Sequence, residues 1–415
     1  MSDSPSTVDD RSHTAEGVRI LWWITRIMTL VIGVTFESRA GTDLRYYFEE
    51  LKELPTAGIG ATMPEYPLPA VGYLGIPSFF GSEGGYFIGI TVLALVIDVL
   101  FTALLFRADG GRRGPGTTFW LVFVPLAGPI VYNRFDLLPA VLTAAAIFYL
   151  SSRPAVAGVL LGAGVAIKMW PAALLPVLLA RPGGRARVLG GFAAVGVVAL
   201  AGSAVAARND LSRIWSPLNY QSDRGLQVES IWATPTMVAR AFDPDRWELG
   251  FGFLAYDVSG PGTAATLTVA DVASLLAVLV VLVLAVRAAR HRHDAEALAI
   301  CAVAVVVMII VTGKTFSPQY LHWLAAPLAV ALALGGRHRV ALKWLGVMGL
   351  VAALLSHVLY PWVYSFMLEG GGSPLNVLAL TVLVARNGLV VVFAFLAVRL
   401  AWRATAAPGR VVAEG

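Results

Sequence analysis

Residues 153–187 read RPAVAGVLLGAGVAIKMWPAALLPVLLARPGGRAR, two apolar runs joined by Lys168-Met169-Trp170-Pro171, with arginines at both ends. As one kinked helix this stretch would put Arg153 on one side of a membrane and Arg181, Arg185 and Arg187 on the other. As a short hairpin it puts them together. Lys and Arg concentrate in cytoplasmic loops. With the N-terminus inside, the short loops holding Arg107/Arg112/Arg113, Arg153, Arg181/Arg185/Arg187, Arg287/Arg290/Arg292 and Arg337/Arg339/Lys343, and the tail Arg399/Arg403/Arg410, share one side only if residues 155–180 double back. The hairpin is therefore the expected form. Two further tips have the same design: Tyr132-Asn133-Arg134-Phe135-Asp136 and Gly313-Lys314-Thr315-Phe316-Ser317-Pro318-Gln319. Arms of about 15 residues at ~1.5 Å per residue reach ~22 Å against a hydrocarbon core of ~30 Å. Polar tips at that depth must be buried in protein or line a wet cavity.

Composition agrees with a membrane chain. Of 415 residues 57% are hydrophobic and only 14% charged, with mean hydropathy +0.73, well below the roughly one-quarter charged content of soluble domains. The net charge of +5 comes mostly from bases flanking apolar segments, so topology accounts for it and no nucleic-acid partner is expected. The single cysteine, Cys301, lies in an apolar run, which excludes a disulfide framework or thiolate cluster. Apolar segments at 18–36, 86–106, 117–131, 137–150, 155–167, 171–180, 188–207, 264–286, 296–312, 321–335, 344–360 and 377–398 predict an all-α polytopic transmembrane helical bundle of about twelve spans. Residues 1–17 are expected as a disordered cytoplasmic tail, 18–400 as a single transmembrane domain and 401–415 as a second cytoplasmic tail. Val18–Thr35 reads as an uncleaved first span. The two long loops, about 37–85 and 208–263, then fall outside with the three tips.

In the first loop, Leu44, Tyr47/Phe48, Leu51 and Leu54 recur at helical spacing, predicting an amphipathic helix at the interface that begins at Thr42-Asp43. The run Met63-Pro64-Glu65-Tyr66-Pro67-Leu68-Pro69 is expected to return to the membrane in extended form. Asp43 stands where a carboxylate can act as general base on an acceptor hydroxyl, or as a helix N-cap beside Thr42. Lys168, Lys314 and Arg134 put a cation at each tip. An intramembrane cation costs ~2.5–3.5 kcal/mol on insertion scales, so such groups need a partner, and a phosphate suits all three. Alternatively Arg134 pairs with Asp136 and Lys168 snorkels. Two of the chain's four lysines occupy tips.

Gln319 and His322 share a helical face at i, i+3, where His322 could assist proton transfer or simply hydrogen-bond a neighbouring helix. Asp98 and Arg386 lie mid-span and need interior partners; they could pair with each other, or Arg386 could join a phosphate site. Asp243-Pro244-Asp245 resembles a metal-holding aspartate pair but is ordinary turn composition. No phosphate-binding glycine loop, dinucleotide fingerprint, zinc-protease motif or nucleophile elbow occurs.

Taken in order, Thr42-Asp43-Leu44, Glu65-Tyr66-Pro67-Leu68-Pro69, Arg134-Phe135-Asp136-Leu137-Leu138-Pro139, the run from Ala157 to Pro171 and Gly313–Tyr320 resemble the polyprenyl-phosphate-sugar-dependent membrane glycosyltransferases of the GT-C architecture. The closest resemblance is to glycosyltransferase family 87, which includes actinobacterial α-mannosyltransferases. It departs at Arg134, where related sequences often have a small or amide residue. The resemblance implies Asp43 as base and the basic tips Lys168, Lys314 and Arg134 around the donor phosphate, to which the residue reading adds Arg386 at the phosphate and His322 in proton transfer. Asn133, Asp136, Glu65, Tyr66 and Gln319 would contact substrate. It further implies an inverting transfer of a sugar, mannose foremost, from polyprenyl-phosphate-mannose to a hydroxyl of a glycolipid or lipoglycan. The enzyme would work without a metal or cofactor, embedded in membrane lipid at the outer face of the bacterial plasma membrane. Arabinofuranosyl or glucosyl transfer is the alternative within the same chemistry. A lipid flippase is the alternative outside it, and the lack of an internal repeat and the one-sided polar tips weigh against that.

Overall fold

The computed structural model describes residues 6–37, 42–291 and 294–406, without the side chains of 6–13, 42 and 291. Its helices are, in chain order, α1 (Ser6–Phe36), α2 (Thr42–Ala57), α3 (Leu68–Gly75), α4 (Glu83–Ala108), α5 (Pro115–Ala127), α6 (Ile130–Asn133), α7 (Leu137–Tyr149), α8 (Pro154–Ile167) and α9 (Leu175–Leu179). There follow α10 (Arg185–Ala206), α11 (Ser216–Asp223), α12 (Thr234–Arg240), α13 (Thr263–His291), α14 (Ala295–Thr312), α15 (Tyr320–Leu334), α16 (Arg339–His357), α17 (Tyr364–Glu369) and α18 (Pro374–Ala404). The chain is a multi-pass helical membrane protein. Seven helical stretches are long and apolar enough to cross a bilayer, namely those of α1, α4, α10, α13, α14, α16 with α17, and α18. The other five of the twelve expected segments form α5, α7, α8, α9 and α15, which are shorter arms. The segment expected as a disordered N-terminal tail is helical from Ser6, continuous with α1; residues 1–5 and 407–415 of the expected tails, and the side chain of Thr42, lie outside the description.

The 155–180 stretch is a hairpin. Helix α8 stops at Lys168, whose backbone is extended (φ −153°, ψ 134°). At the far ends, Arg181 donates to Ser151 Oγ, and a Cβ on Gly184 would sit 3.0 Å from Pro154 Cβ, so both basic ends lie side by side. Helix α8 also packs closely on α10, because Gly158 faces the Val188 carbonyl and Gly191 the Ala155 carbonyl, where a Cβ would come within 2.0 and 2.3 Å. Small residues let membrane helices approach this closely. At the same end of neighbouring elements, Arg287 stacks 3.7 Å over Trp402 and donates to its carbonyl.

All three tips meet the two long segments, 42–82 and 207–262, at the opposite end. Arg213 joins those segments: its buried guanidinium donates to the carbonyls of Ile59, Thr62, Met63 and Tyr66 and to Ser216 Oγ. The second segment contains a three-stranded antiparallel sheet in the order β1 (Leu226–Gln227), β3 (Ala255–Ser259), β2 (Glu248–Gly252). An all-α reading missed it because the strands are two to five residues long and carry no sustained alternation. Gln227 ties this sheet to the third tip, its backbone N–H donating to Lys314 O and its Oε1 accepting from Phe316 N at 2.6 Å. The proline-rich run is not extended throughout; Tyr66 N–H turns back to Met63 O at 3.1 Å, and the backbone is extended at Pro67 before α3. Asp243-Pro244-Asp245 is a single exposed 3-10 turn.

Asp98 and Arg386 do not pair with each other. Asp98 accepts from Arg26 Nε at 2.7 Å and Nη2 at 2.9 Å, from Trp120 Nε1 at 2.6 Å and from Tyr132 OH at 3.1 Å. Arg26 of the first span takes the place expected of Arg386, and both groups are fully enclosed. A carboxylate with four donors is fully compensated; one that loses its arginine is not. Asp98→Ala should therefore destabilise the protein by about 3–5 kcal/mol, whereas the volume-matched double change Arg26→Met with Asp98→Leu should lose much less. Melting of the detergent-solubilised protein checks this, and equal losses in the two variants would refute it.

Candidate active site

A cavity of about 390 Å³ lies where the tips meet the outer segments. On one wall the first turn of α2 supplies Asp43. The amphipathic character of α2 is as expected: Leu44 and Tyr47 are buried, and Tyr47 packs edge-on against Tyr66 and Phe135. Arg134 follows α6 in extended backbone (φ −129°, ψ 140°) and forms an ion pair with Asp43, Nη1 to Oδ2. Its Nε is buried without a hydrogen-bond partner.

Lys168 also lines the cavity. Its Nζ donates to Asp136 Oδ1 at 2.6 Å, and Trp323 Nε1 donates to the same oxygen at 2.7 Å. Four rings surround the ammonium, with centroids at 4.9 Å (Phe135), 5.2 Å (Trp323), 5.9 Å (Tyr66) and 5.9 Å (Tyr320). Quadrupole attraction and one carboxylate hold the charge in place while 18% of the side chain stays exposed. The lysine has neither snorkelled away nor been wholly neutralised. Asp136 pairs with Lys168 rather than with Arg134, because its residue-mate across the tip has already been taken by Asp43.

The outer segments form the roof, through Glu65, Tyr46, Tyr220, Gln221, Arg224 and Tyr256, while Tyr360 and Tyr364 close the side beside α16 and α17. Tyr46 OH donates to Glu65 Oε1 at 2.8 Å. Burial raises the Glu65 carboxyl above its usual range, against the pull of its hydrogen bonds, and likewise pushes the Tyr220 phenol up to about 12. Below lies Glu229, whose Oε2 accepts from Arg386 Nη1 at 2.9 Å.

Six expected site residues thus come together around one cavity: Asp43, Glu65, Tyr66, Arg134, Lys168 and Gln319. Asp136 is buried behind Lys168 and supports it. Asn133 lines an adjoining groove. Three expectations need correction. His322 is fully buried with neither ring nitrogen hydrogen-bonded and its ring edge-on to Phe123 at 6.0 Å; α15 is enclosed by helices on every face, so only its N-terminal end, at Gln319 and Tyr320, reaches the cavity. Lys314 lines neither the cavity nor its neighbour, because its exposed Nζ donates to Ser222 O at 2.8 Å. Arg386 is spent on Glu229, Asn387 Oδ1 and the Phe316 ring at 4.2 Å. Glu229 and the tyrosines were missed. The available signal was the mid-span Arg386, which required an acid from elsewhere in the chain.

The raised Glu65 pKa has a defined sign. The folded state binds that proton more tightly than the unfolded chain, so the contribution to stability is complete below the ordinary value of 4.5 and declines as pH rises through the folded value. Glu65→Gln should remove this decline, and its melting temperature should gain on wild type as pH increases from 4.5 towards neutrality. A constant difference between the two across that range would count against it.

Comparison with known proteins gives one family. The pattern of glycosyltransferase family 87 matches residues 66–313, more than half of the chain. No curated protein matches. The matched stretch contains Arg134, Asp136, Lys168 and Glu229, while Asp43 precedes it and Gln319 follows it. With its tips and long segments gathered on one polar cavity inside a helical membrane scaffold, this chain belongs to glycosyltransferase family 87.

Proposed function

We propose that the protein transfers a sugar, mannose foremost, from a polyprenyl-phosphate donor to a hydroxyl of a glycolipid or lipoglycan at the outer face of the bacterial plasma membrane. The observation that carries this reading is the presence of two ion pairs at one cavity, Asp43 with Arg134, both lining it, and Lys168, which lines it, with Asp136 behind. Asp43 Oδ2 is engaged by Arg134, which leaves Oδ1 to accept a proton. The acceptor oxygen attacks the anomeric carbon as the bond to the phosphate oxygen breaks on the opposite face, so configuration inverts, and the acceptor proton passes to Asp43. The donor phosphodiester has one negative charge and the departing monoester gains a second. Lys168, preorganised by Asp136 and its ring of aromatics, therefore interacts more strongly with the leaving group than with the bound donor, which is what lowers a barrier. Glu65, Tyr66, Gln319 and the roof tyrosines offer hydroxyl partners and ring faces for a sugar.

The orientation is supported by the short basic loops, since Lys and Arg concentrate on the cytoplasmic side. In this mechanism cationic side chains meet the charge of the departing phosphate, so the transfer need not require a metal.

Purified protein given radiolabelled polyprenyl-phosphate-mannose and membrane glycolipid should transfer the sugar and continue to do so with chelator present. Asp43→Asn should lower the rate about 10²–10⁴-fold without loss of folded protein on gel filtration. Lys168→Gln should slow transfer by about 10²–10³-fold, the range for losing a preorganised charge donor. Unchanged rates in Asp43→Asn would remove the base assignment, and polyprenyl-phosphate binding without transfer of any sugar would favour a flippase.

A further inference from the structure

The β2–β3 hairpin ends at the polar cavity in a turn that its residues do not favour. Gly252 pairs with Ala255, so the loop is Phe253-Leu254 alone, and both residues are left-handed, with φ of 52° and 59°. A two-residue hairpin loop with positive φ at both positions is the geometry that selects Asn-Gly. For bulky side chains the same backbone is costly, because the β-carbon crowds the following carbonyl. Such a conformation persists only where its surroundings impose it. Here they do: Arg224 Nη2 donates to the Phe253 carbonyl at 2.7 Å, the Phe253 ring stands edge-on to Tyr220 at 4.9 Å, and the Arg224 guanidinium lies 5.8 Å from the same Tyr220 ring.

The turn also stands where the cavity opens. Phe251, Phe253, Leu254, Ala255 and Tyr256 all line the cavity, and its exposed lining residues are Gln221, Phe251 and Leu254, the last two at 67% and 38%. Phe251 is braced from across the hairpin by Tyr256, with ring centroids 5.1 Å apart. A cavity whose interior carries Asp43, Glu65, Arg134 and Lys168 thus has an apolar rim on its exposed side. The backbone of the turn would be better served by Asn-Gly, and contact with water by polar side chains. Phe253 and Leu254 meet neither demand, so their presence answers to what passes the rim.

We propose that the Phe253-Leu254 turn is a water-excluding rim that makes the site choose an acceptor hydroxyl over water. The assignment rests on the transferase reading above. A base that activates a lipid hydroxyl also activates water. In that side reaction the water oxygen bonds to the anomeric carbon, the bond from that carbon to the phosphate oxygen breaks, and the proton passes to Asp43, leaving free sugar and polyprenyl phosphate. Enclosing the reacting atoms prevents such losses. Apolar groups at the opening contribute by making entry of water past them unfavourable.

The test gives the purified full chain polyprenyl-phosphate-mannose, radiolabelled in the sugar, together with membrane glycolipid, and compares label released into water as free sugar with label gained by glycolipid. In wild type the glycolipid should dominate. Phe253→Asn with Leu254→Gly supplies the residues that the turn geometry selects; it should match or exceed the wild-type melting temperature and raise the ratio of free sugar to glycolipid severalfold. Leu254→Asn alone keeps Phe253 and its contact with Tyr220, and should shift the ratio in the same direction by less. Partial unfolding lowers both products together, so the ratio reports on the rim and not on the folded fraction. An unchanged ratio in both variants, with transfer by wild type, would overturn the rim assignment alone. Neither product from wild type with mannosyl, arabinosyl or glucosyl donors would remove the transferase reading and the rim with it.

Discussion

One carboxylate, that of Asp136, ties the three recessed tips together. It belongs to the first tip, accepts from Lys168 of the second, and accepts from Trp323 in the helix that follows the third. Within a low-dielectric bundle a carboxylate and an ammonium are each costly alone, and together they remain favourable only if the geometry is held. Trp170, Trp323 and Tyr320 stack in sequence at 5.1 and 3.8 Å and fix the side chains that surround the pair. The short arms therefore end where they do because their polar tips satisfy one another. The cavity is the space left between those tips and the outer segments.

Stability and chemistry are divided among the buried charges. Arg26 with Asp98 and Arg386 with Glu229 are enclosed on all sides and hold helices together. Asp43 with Arg134 and Lys168 with Asp136 are also close pairs, but each has a member facing the cavity. A fully enclosed pair gains little from further partners, while a half-exposed one can exchange a contact with its neighbour for a contact with substrate. This difference in exposure separates structural from functional charge here better than residue type or position in the sequence does.

Much of this was readable before any coordinates. The basic flanks of residues 153–187 imposed the hairpin, and the depth argument placed Arg134 and Lys168 at recessed tips; both hold because charge and helix length act locally. Asp43, Glu65, Tyr66 and Gln319 were found by their place beside those tips. The errors share a cause. Arg386, Lys314 and His322 were judged by depth and spacing, and Asp98 was rightly given an interior structural partner but not its identity, because which group a buried side chain meets is decided by helix packing across the bundle. Arg26 and Glu229, the actual partners, sit about 70 and 157 positions away from the residues they neutralise. The small sheet was invisible for a related reason: its strands are too short for a period to register, and their pairing is set by the loop context around Gln227.

Arg213 grips the first outer segment almost entirely through backbone carbonyls, those of Ile59, Thr62, Met63 and Tyr66. A carbonyl is supplied by every amino acid. The side chains of that loop can therefore be exchanged over evolutionary time without loosening its attachment to the rest of the roof, provided the arginine and the turn remain. Divergence in which sugar or acceptor such a roof admits is thereby uncoupled from the joint that keeps it in place.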